Sequence, residues 1–471
     1  MKRFLFISIL VSSLAAQGQV MLGIANSNFA GNMGMGLNPS SMLLMPYRWE
    51  VNLISGDIFL ENNYVRYPKD QMMGGSSEGT SSPLPHGGLL DNYSAAPKNA
   101  HARVFMRLPS FIYRTQDQAF GISFCVRNDI SIRNLTPNLS KYMYEGLEYT
   151  DLSGVPIKID PFRIAGMTWA EIGLSYGRLI NKGNDHLIIA GTLNLISAIN
   201  GLYFYNNHTN LTVTGDTTMT MAINGMDAQL AYDLPRDQSD ALKGRGKGAS
   251  LNIGFTYVSN PYRGTFKDSR TIARKRYDYR FGVSLIDAGM VYFNRNAHVY
   301  SFSSTTIQLD SINQVSPKGI DGMDQFIMDN LMTGNNTIDN SFFLMPPTAI
   351  SSQLDVCLAP RWYANATIVQ RANLPMPHVD LPNILSITPR YETSYFEVAL
   401  PYSLYDYYLN RLGIAIRYRI LVLGTDKLGT FVSNNDVTGL DFYFGIKLSD
   451  YDFMRKGKRA RQKAAACEAY N

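Results

Sequence analysis

The chain has 471 residues, of which 45% are hydrophobic and 12% aromatic but only 17% charged. Because disordered chains are rich in charge and poor in aromatics, this composition excludes a disordered protein, and three cysteines are too few for a disulfide scaffold. The net charge of +5 comes from cations near the two ends, so the near-neutral body predicts no nucleic-acid partner.

Residues 1–18 have the features of a secretory signal peptide. Lys2 and Arg3 give a positive start, Phe4 to Leu14 form a short apolar core, and Ala16-Gln17-Gly18 places small residues at the two positions that a signal peptidase reads. The sequence therefore predicts an exported protein.

Residues 19–46 are rich in Gly, Asn and Met and show no regular alternation. We expect a periplasmic segment or a plug folded into the structure that follows, with Asn38 and Pro39 as the plug candidates.

From residue 47 to 449, apolar side chains alternate strictly with polar or small ones. Between 119 and 127, for example, Phe120, Ile122 and Phe124 share one face, and Ser123 and Arg127 lie on the other. Alternation of this kind is typical of β-strands, and many segments reach ~9–13 residues, longer than soluble strands and long enough to cross a bilayer at a tilt. The predicted strands are 47–64, 102–113, 119–133, 163–179, 186–205, 249–259, 277–293, 298–309, 347–360, 362–371, 384–391, 395–400, 409–423 and 438–448.

These segments favour an all-β protein, a transmembrane antiparallel β-barrel of about 14 strands with a short N-terminal plug-like segment. In lipid the sheet must close, since an open edge would leave backbone groups without hydrogen bonds. The alternative is a periplasmic all-β protein. Residues 450–471 form a basic tail, expected in the periplasm as a solvated end or as a contact for anionic lipid or an acidic partner.

Several stretches resemble a known family. The segment from Asn32 to Ser40 is similar to the Asn-Pro-Ala/Ser segment of long-chain fatty-acid-transporter-type barrels. The chain more closely resembles an uncharacterised family of outer-membrane β-barrels from Bacteroidota, through residues 282–289, 345–348, 385–391 and 438–443. The resemblance implies a 14-stranded type of barrel in the outer membrane and brings no established substrate.

Charged residues on the non-apolar face are the candidate site. A charge facing lipid costs up to ~2–4 kcal/mol near the bilayer midplane, so we expect these side chains to face the lumen. Three interpretations stay open: pairing across the lumen that stiffens the barrel, a polar path or binding site for a solute, and a latch for the plug. The residues are Arg103, Arg107, Arg127, Glu171, Asp278, Arg280, Asp355, Arg417, Arg419, Asp441 and Lys447.

Motifs of enzymes are missing from the sequence: it has no G-x-S-x-G elbow, no H-E-x-x-H pair and no Walker loop. We therefore expect no enzyme, no catalytic residues, no metal site and no cofactor. The expected partners are outer-membrane lipid, a small solute of unknown identity and a protein of the cell envelope.

The sequence thus predicts an outer-membrane barrel with both termini in the periplasm. Its predicted function is passive transport or binding of a small solute, with a hydrophobic solute as the candidate. The alternative is a non-transporting partner barrel of a secretion or surface-attachment complex, such as the type IX system.

Overall fold

The computed structural model describes residues 20–69, 88–215, 219–259, 277–312, 319–332, 336–433 and 436–450. Most of them belong to one antiparallel sheet, whose strands are interrupted in places by short breaks. The strands in chain order are β1 (Trp49–Asn62), β2 (Lys98–Arg107 and Ser110–Arg114), β3 (Gln118–Leu135), β4 (Phe162–Lys182, preceded by Ile157–Ile159), β5 (Asp185–Thr214), β6 (Thr220–Asp233 and Gly246–Val258), β7 (Tyr279–Phe293 and His298–Leu309), β8 (Thr337–Asp339, Phe342–Leu344 and Ala349–Ala359), β9 (Trp362–Arg371), β10 (Ile384–Glu392), β11 (Phe396–Ala399 and Tyr402–Tyr405), β12 (Leu409–Leu412 and Ile414–Tyr418), β13 (Leu421–Thr425) and β14 (Gly439–Ser449).

The sheet closes on itself as a barrel of 14 strands, which confirms the predicted fold class. β1 pairs with β14 from Glu50 opposite Ser449 to Glu61 opposite Gly439. Every strand of the ring therefore has a neighbour on both sides, as a sheet inside hydrocarbon requires.

Two predicted strands are wrong in the strand count, and the two errors cancel. The predicted strands also leave out residues 206–214 of β5 and 220–233 of β6. Residues 298–309 do not form a separate strand of the ring. They continue β7 and pair with the first segment of β6, whereas residues 279–293 pair with the second. Residues 409–423 contain two strands, because the chain reverses at Arg419-Ile420 between β12 and β13. Arg419 adopts φ +54°, so this tight turn forms without the Gly, Asn or Pro that usually marks one.

Apolar side chains cover the outside of the barrel. Leu193 on β5 lies between Leu174 on β4 and Leu251 on β6, and the three are 45%, 50% and 40% exposed. Similar residues follow on other strands, such as Ile350 and Ile387. A water-soluble protein rarely exposes so large a continuous apolar surface, so this belt indicates contact with lipid.

Leu193→Arg is expected to destabilise the barrel by ~2–4 kcal/mol, because it puts a charge in the hydrocarbon near mid-membrane. The measurement is denaturant unfolding of the protein folded into lipid vesicles. Leu242→Arg is the matched control, since Leu242 is 85% exposed in the loop between the two segments of β6 and should tolerate the charge. Equal losses for the two variants would contradict the position of the belt.

The two ends of the barrel differ in their connections. Turns of a few residues join β2 to β3, β4 to β5, β8 to β9, β10 to β11 and β12 to β13, and residues 259–278 connect β6 to β7 at the same end. The two longest connections, 63–97 and 310–336, lie at the other end. Both ends of the barrel chain, Trp49 and Ser449, lie at the short-turn end. In bacterial barrels short turns are periplasmic, so this arrangement agrees with the prediction for the termini without testing it.

At the long-loop end, strands β5, β6 and β7 are longer than the other strands of the barrel and extend past them. β5 alone has 30 residues, whereas a tilted spanning strand needs ~9–11. Two helices, α1 (Pro137–Glu145) and α2 (Gly319–Asn330), pack against this extension through Tyr142 and Ile327. A third helix, α3 (Gly429–Val432), lies in the loop before β14.

No helix among the described stretches has the length and apolar character needed to cross a bilayer. The predicted signal peptide and nearly all of the predicted basic tail lie outside the described residues.

Candidate functional site: the lumen of the barrel

The N-terminal plug, residues 20–45, lies inside the lumen and is almost entirely buried. It contains two short 3-10 helices, Gly31–Gly34 and Pro39–Leu43. At one end Val20 packs with Ile286, Ile384 and other core residues of the wall. At the other end Met42 and Leu43 pack near the short turns, against residues such as Ile112 and Ile188.

Asn38 ties the plug to two strands and shapes the plug itself. Its backbone is extended, with φ −156°, and its side-chain oxygen accepts a hydrogen bond from the Ser40 N–H at 3.0 Å, which caps the second 3-10 helix. Its amide group donates to Gln353 on β8 at 3.0 Å. The Ser40 hydroxyl lies 2.5 Å from that of Thr256 on β6. Pro39, the first residue of the helix, fixes the turn that makes these contacts possible.

Other strands hold the plug through single polar contacts. The contacts are Ser27 Oγ to Glu397 at 2.7 Å, Asn32 N to Glu50 at 2.7 Å, Leu22 N to Asp426 at 3.1 Å, Arg280 to Asn28 Oδ1 at 3.2 Å and Lys447 Nζ to the Ala30 carbonyl at 3.0 Å. None of the described plug residues forms a strand with the wall. The ladder of the barrel therefore does not include the plug.

Most of the predicted charged residues lie in the lumen. Asp278 instead lies half-buried just before β7, at the short-turn end. The prediction for Arg419 is wrong: this residue is exposed in the turn after β12, because the chain reverses after Tyr418 and does not continue as one strand to residue 423. The nine that are buried inside are Arg103, Arg107, Arg127, Glu171, Arg280, Asp355, Arg417, Asp441 and Lys447.

Arg127 is the centre of a buried ion cluster. Its guanidinium lies 2.8 Å from Asp287 on β7, 3.5 Å from Asp129 on its own strand and 3.7 Å from Glu171 on β4. It also stacks over the ring of Trp169, 4.5 Å from the centroid. Since β3 and β7 are not neighbours in the ring, the contact with Asp287 crosses the lumen.

A second cluster connects the plug to the wall. Asp355 on β8 pairs with Arg390 at 2.6 Å and with Arg280 at 3.2 Å, and Arg417 pairs with Glu397 at 2.9 Å. Arg280 and Glu397 both contact the plug as well. These ion pairs thus connect strands of the wall with one another and with the plug.

The sequence prediction missed several partners of these charges. Asp129 has the same parity as Arg127 on β3 and could have been found from it. Asp287 could not, because a bulge in β7 shifts the alternation there and Asp287 adopts φ +52°. No group of three or more possible metal ligands occurs among the described residues.

On the long-loop side of the plug, a cluster of buried apolar side chains occupies the lumen. This cluster, which we call the aromatic compartment, is formed by Met167, Trp169, Tyr203, Phe293, Val299, Phe342, Leu344 and Val379 with neighbouring alanines. Phe293 and Phe342 stack with ring centroids 4.8 Å apart, and Tyr203 meets Phe342 edge-on at 5.6 Å. The lumen therefore holds the plug, with its mixed polar and apolar contacts, near the short turns and an aromatic cluster on the long-loop side of it.

Comparisons with known proteins give remote structural matches. A mutant of the monoaromatic hydrocarbon channel TodX, lacking S2 and S3, is 10% identical, with 92% of this chain and 98% of that chain covered, at a TM-score of 0.42. The Ralstonia pickettii toluene transporter TbuX is 8% identical, with 93% and 99% covered, at 0.38. The P. putida toluene transporter TodX is 10% identical, with 88% and 92% covered, at 0.38.

At these identities and TM-scores the solved structures say nothing about the solute of this chain. No curated protein matches the sequence. The model of a family of unknown function, DUF5723, matches residues 44–426, from just before the first strand to the end of β13. The chain therefore belongs to the DUF5723 family.

Proposed function

We propose that this barrel is a gated channel that carries small hydrophobic solutes across the outer membrane. The observation that carries the proposal is the aromatic compartment inside the lumen. The interior of a membrane barrel is ordinarily polar and wet, so a packed cluster of Trp, Phe, Met and Tyr there calls for a function.

An apolar solute would find a favourable environment in this compartment. Burying apolar surface gains ~25 cal/mol per Å². A polar solute would instead lose its hydrogen bonds to water and find few replacements, because Phe293 and Phe342 are buried in the apolar cluster. The compartment therefore discriminates in favour of apolar molecules.

The lower half of the lumen supplies the gate. The plug fills it and is held by separate polar contacts and by apolar packing of residues such as Met42 and Leu43, not by strand pairing. None of these contacts belongs to the ladder of the wall, so the plug can shift within the lumen while the barrel stays intact. Uptake then needs a rearrangement of the plug, which also keeps the lumen closed to ions between events.

Phe342→Asn is expected to slow uptake of an apolar dye about tenfold, because it puts an amide at the centre of the stacked rings, at a cost of ~1–3 kcal/mol for an apolar molecule there. Phe342→Leu is the matched control and should change the rate less than about twofold, since it keeps the surface apolar. The assay is the rate of N-phenyl-1-naphthylamine uptake by cells that express the barrel. Equal rates for the two variants would count against the aromatic compartment as the path.

A further inference from the structure

The loop between β9 and β10, residues 372–383, lies inside the barrel instead of on its surface. It leaves from the long-loop end, yet His378, Val379 and Leu381 are only 2%, 1% and 6% exposed. Asp380 and Asn383 are 8% exposed. Loops normally run over the surface, where water satisfies their backbone. Here the lumen wall must do so.

The tip of this loop reaches the opposite wall. The Asp380 N–H donates to the Ser131 hydroxyl at 3.0 Å, and Arg133 donates to the Leu381 carbonyl at 2.8 Å. Both Ser131 and Arg133 are on β3, which lies seven strands from β10 in either direction around the ring. The loop therefore spans the full width of the lumen.

Two further strands of the barrel, β5 and β8, also form hydrogen bonds with the loop. The His378 N–H donates to the Tyr205 hydroxyl on β5 at 2.7 Å, and that hydroxyl donates back to the His378 carbonyl at 3.0 Å. Beside β8, Met345 N–H donates to the Pro377 carbonyl at 2.9 Å and Val379 N–H donates to the Met345 carbonyl at 3.1 Å. As with the plug, these are separate contacts and not a continuous strand.

The two faces of the loop touch the two halves of the lumen. Val379 belongs to the aromatic compartment, whereas Leu381 packs in the same cluster as Val20 of the plug. The base of the loop is fixed by Asp406, which accepts from Asn383 N at 3.0 Å and pairs with Arg133 at 2.6 Å. The loop thus separates the aromatic compartment from the plug.

We propose that loop 372–383 is a second, outer gate: a strap across the lumen that must swing away before an apolar solute can pass from the aromatic compartment to the plug. This inference rests on the proposed transport function and adds to it a control point that is independent of the plug. The hinges are the two ends of the loop, next to β9 and β10. The contacts that open are those to Ser131, Arg133, Tyr205 and Met345.

A disulfide can lock the strap in place. Met345 and His378 form a parallel bridge, and partners in such a bridge have Cα atoms within the ~4.4–6.8 Å that a disulfide tolerates. The test protein is therefore Met345→Cys/His378→Cys, with Cys467→Ser to remove the other cysteine outside the described core. Cys125 and Cys357 are buried and stay. Mass spectrometry reports the extent of cross-linking.

Uptake of N-phenyl-1-naphthylamine by cells that express this variant is then measured before and after oxidation. We expect oxidation to slow uptake at least about tenfold and a reductant to restore it, because a closed strap leaves no path. The reduced form of the same protein controls for folding. Asn128→Cys/Thr168→Cys, a cross-strand pair between β3 and β4 joined by a 2.6 Å hydrogen bond, controls for oxidation itself.

The possible results separate the two proposals. Reversible loss of uptake in the locked variant and not in the control supports the outer gate. Equal uptake by the oxidised and reduced forms overturns the gate but leaves transport standing. If neither form takes up more dye than cells without the barrel, the transport function itself fails, and the gate fails with it.

Discussion

Deleting residues 20–45 and shortening loop 372–383 to a tight turn is expected to turn a closed barrel into an open, ion-conducting pore. The plug fills the half of the lumen near the short turns, and its removal exposes Glu50, Glu397 and Lys447, which water can then solvate. Because the plug contributes no strand, the barrel should still fold. In planar bilayers the conductance should rise about tenfold or more over that of the intact chain.

Heat-modifiable migration in gels checks that the deleted protein is folded. Adding back a synthetic peptide of residues 20–45 should lower the conductance again, which separates loss of the plug from damage to the barrel. The plug deletion alone is the matched comparison: loop 372–383 still crosses the lumen in that protein, so its conductance should rise much less. A barrel that lacks both segments, folds and conducts no better than the intact chain would show that neither segment closes the lumen.

Arg127→Met is expected to be the most destabilising single substitution in the lumen. It removes the only cation within 4 Å of both Asp287 and Glu171 among the described residues, and both carboxylates stay buried. Breaking a buried ion pair by removing one partner typically costs ~3–5 kcal/mol, since the other charge is left uncompensated. Denaturant unfolding of the barrel in lipid vesicles measures this loss.

Arg107→Met is the matched control for this substitution. Arg107 is also buried, on the neighbouring strand, but it forms no ion pair within 4 Å with a carboxylate of the described residues. Its replacement should cost clearly less than that of Arg127. The double variant Arg127→Met/Asp287→Asn should recover part of the loss, because it also removes the stranded charge. Equal costs for Arg127→Met and Arg107→Met would show that the ion cluster contributes little.

The sequence was sufficient to predict the wall of this protein because the side-chain period of a strand is local. Once Phe120, Ile122 and Phe124 face outwards, Arg127 must face inwards, and no knowledge of the neighbours is needed. The same logic failed where the backbone departs from the period. The turn at Arg419 and the bulge at Asp287 use positive φ at residues that carry no strong turn signal.

The contents of the lumen were harder to predict because they depend on contacts between distant parts of the chain. The plug was expected from a segment without alternation, but its partners on β6, β8 and β11 were not. Loop 372–383 contains Pro and Asn and resembles a surface loop in composition. Only the burial of Val379 and Leu381 shows that it folds inwards.

The central proposal is that the barrel lets apolar molecules pass while it holds back ions. The most direct measurement compares cells that make the intact barrel with cells that do not, and it pairs the rate of N-phenyl-1-naphthylamine uptake with the ion conductance of the purified protein. We expect uptake several-fold above the background together with almost no steady conductance. Steady ion conductance without any gain in dye uptake would contradict the account.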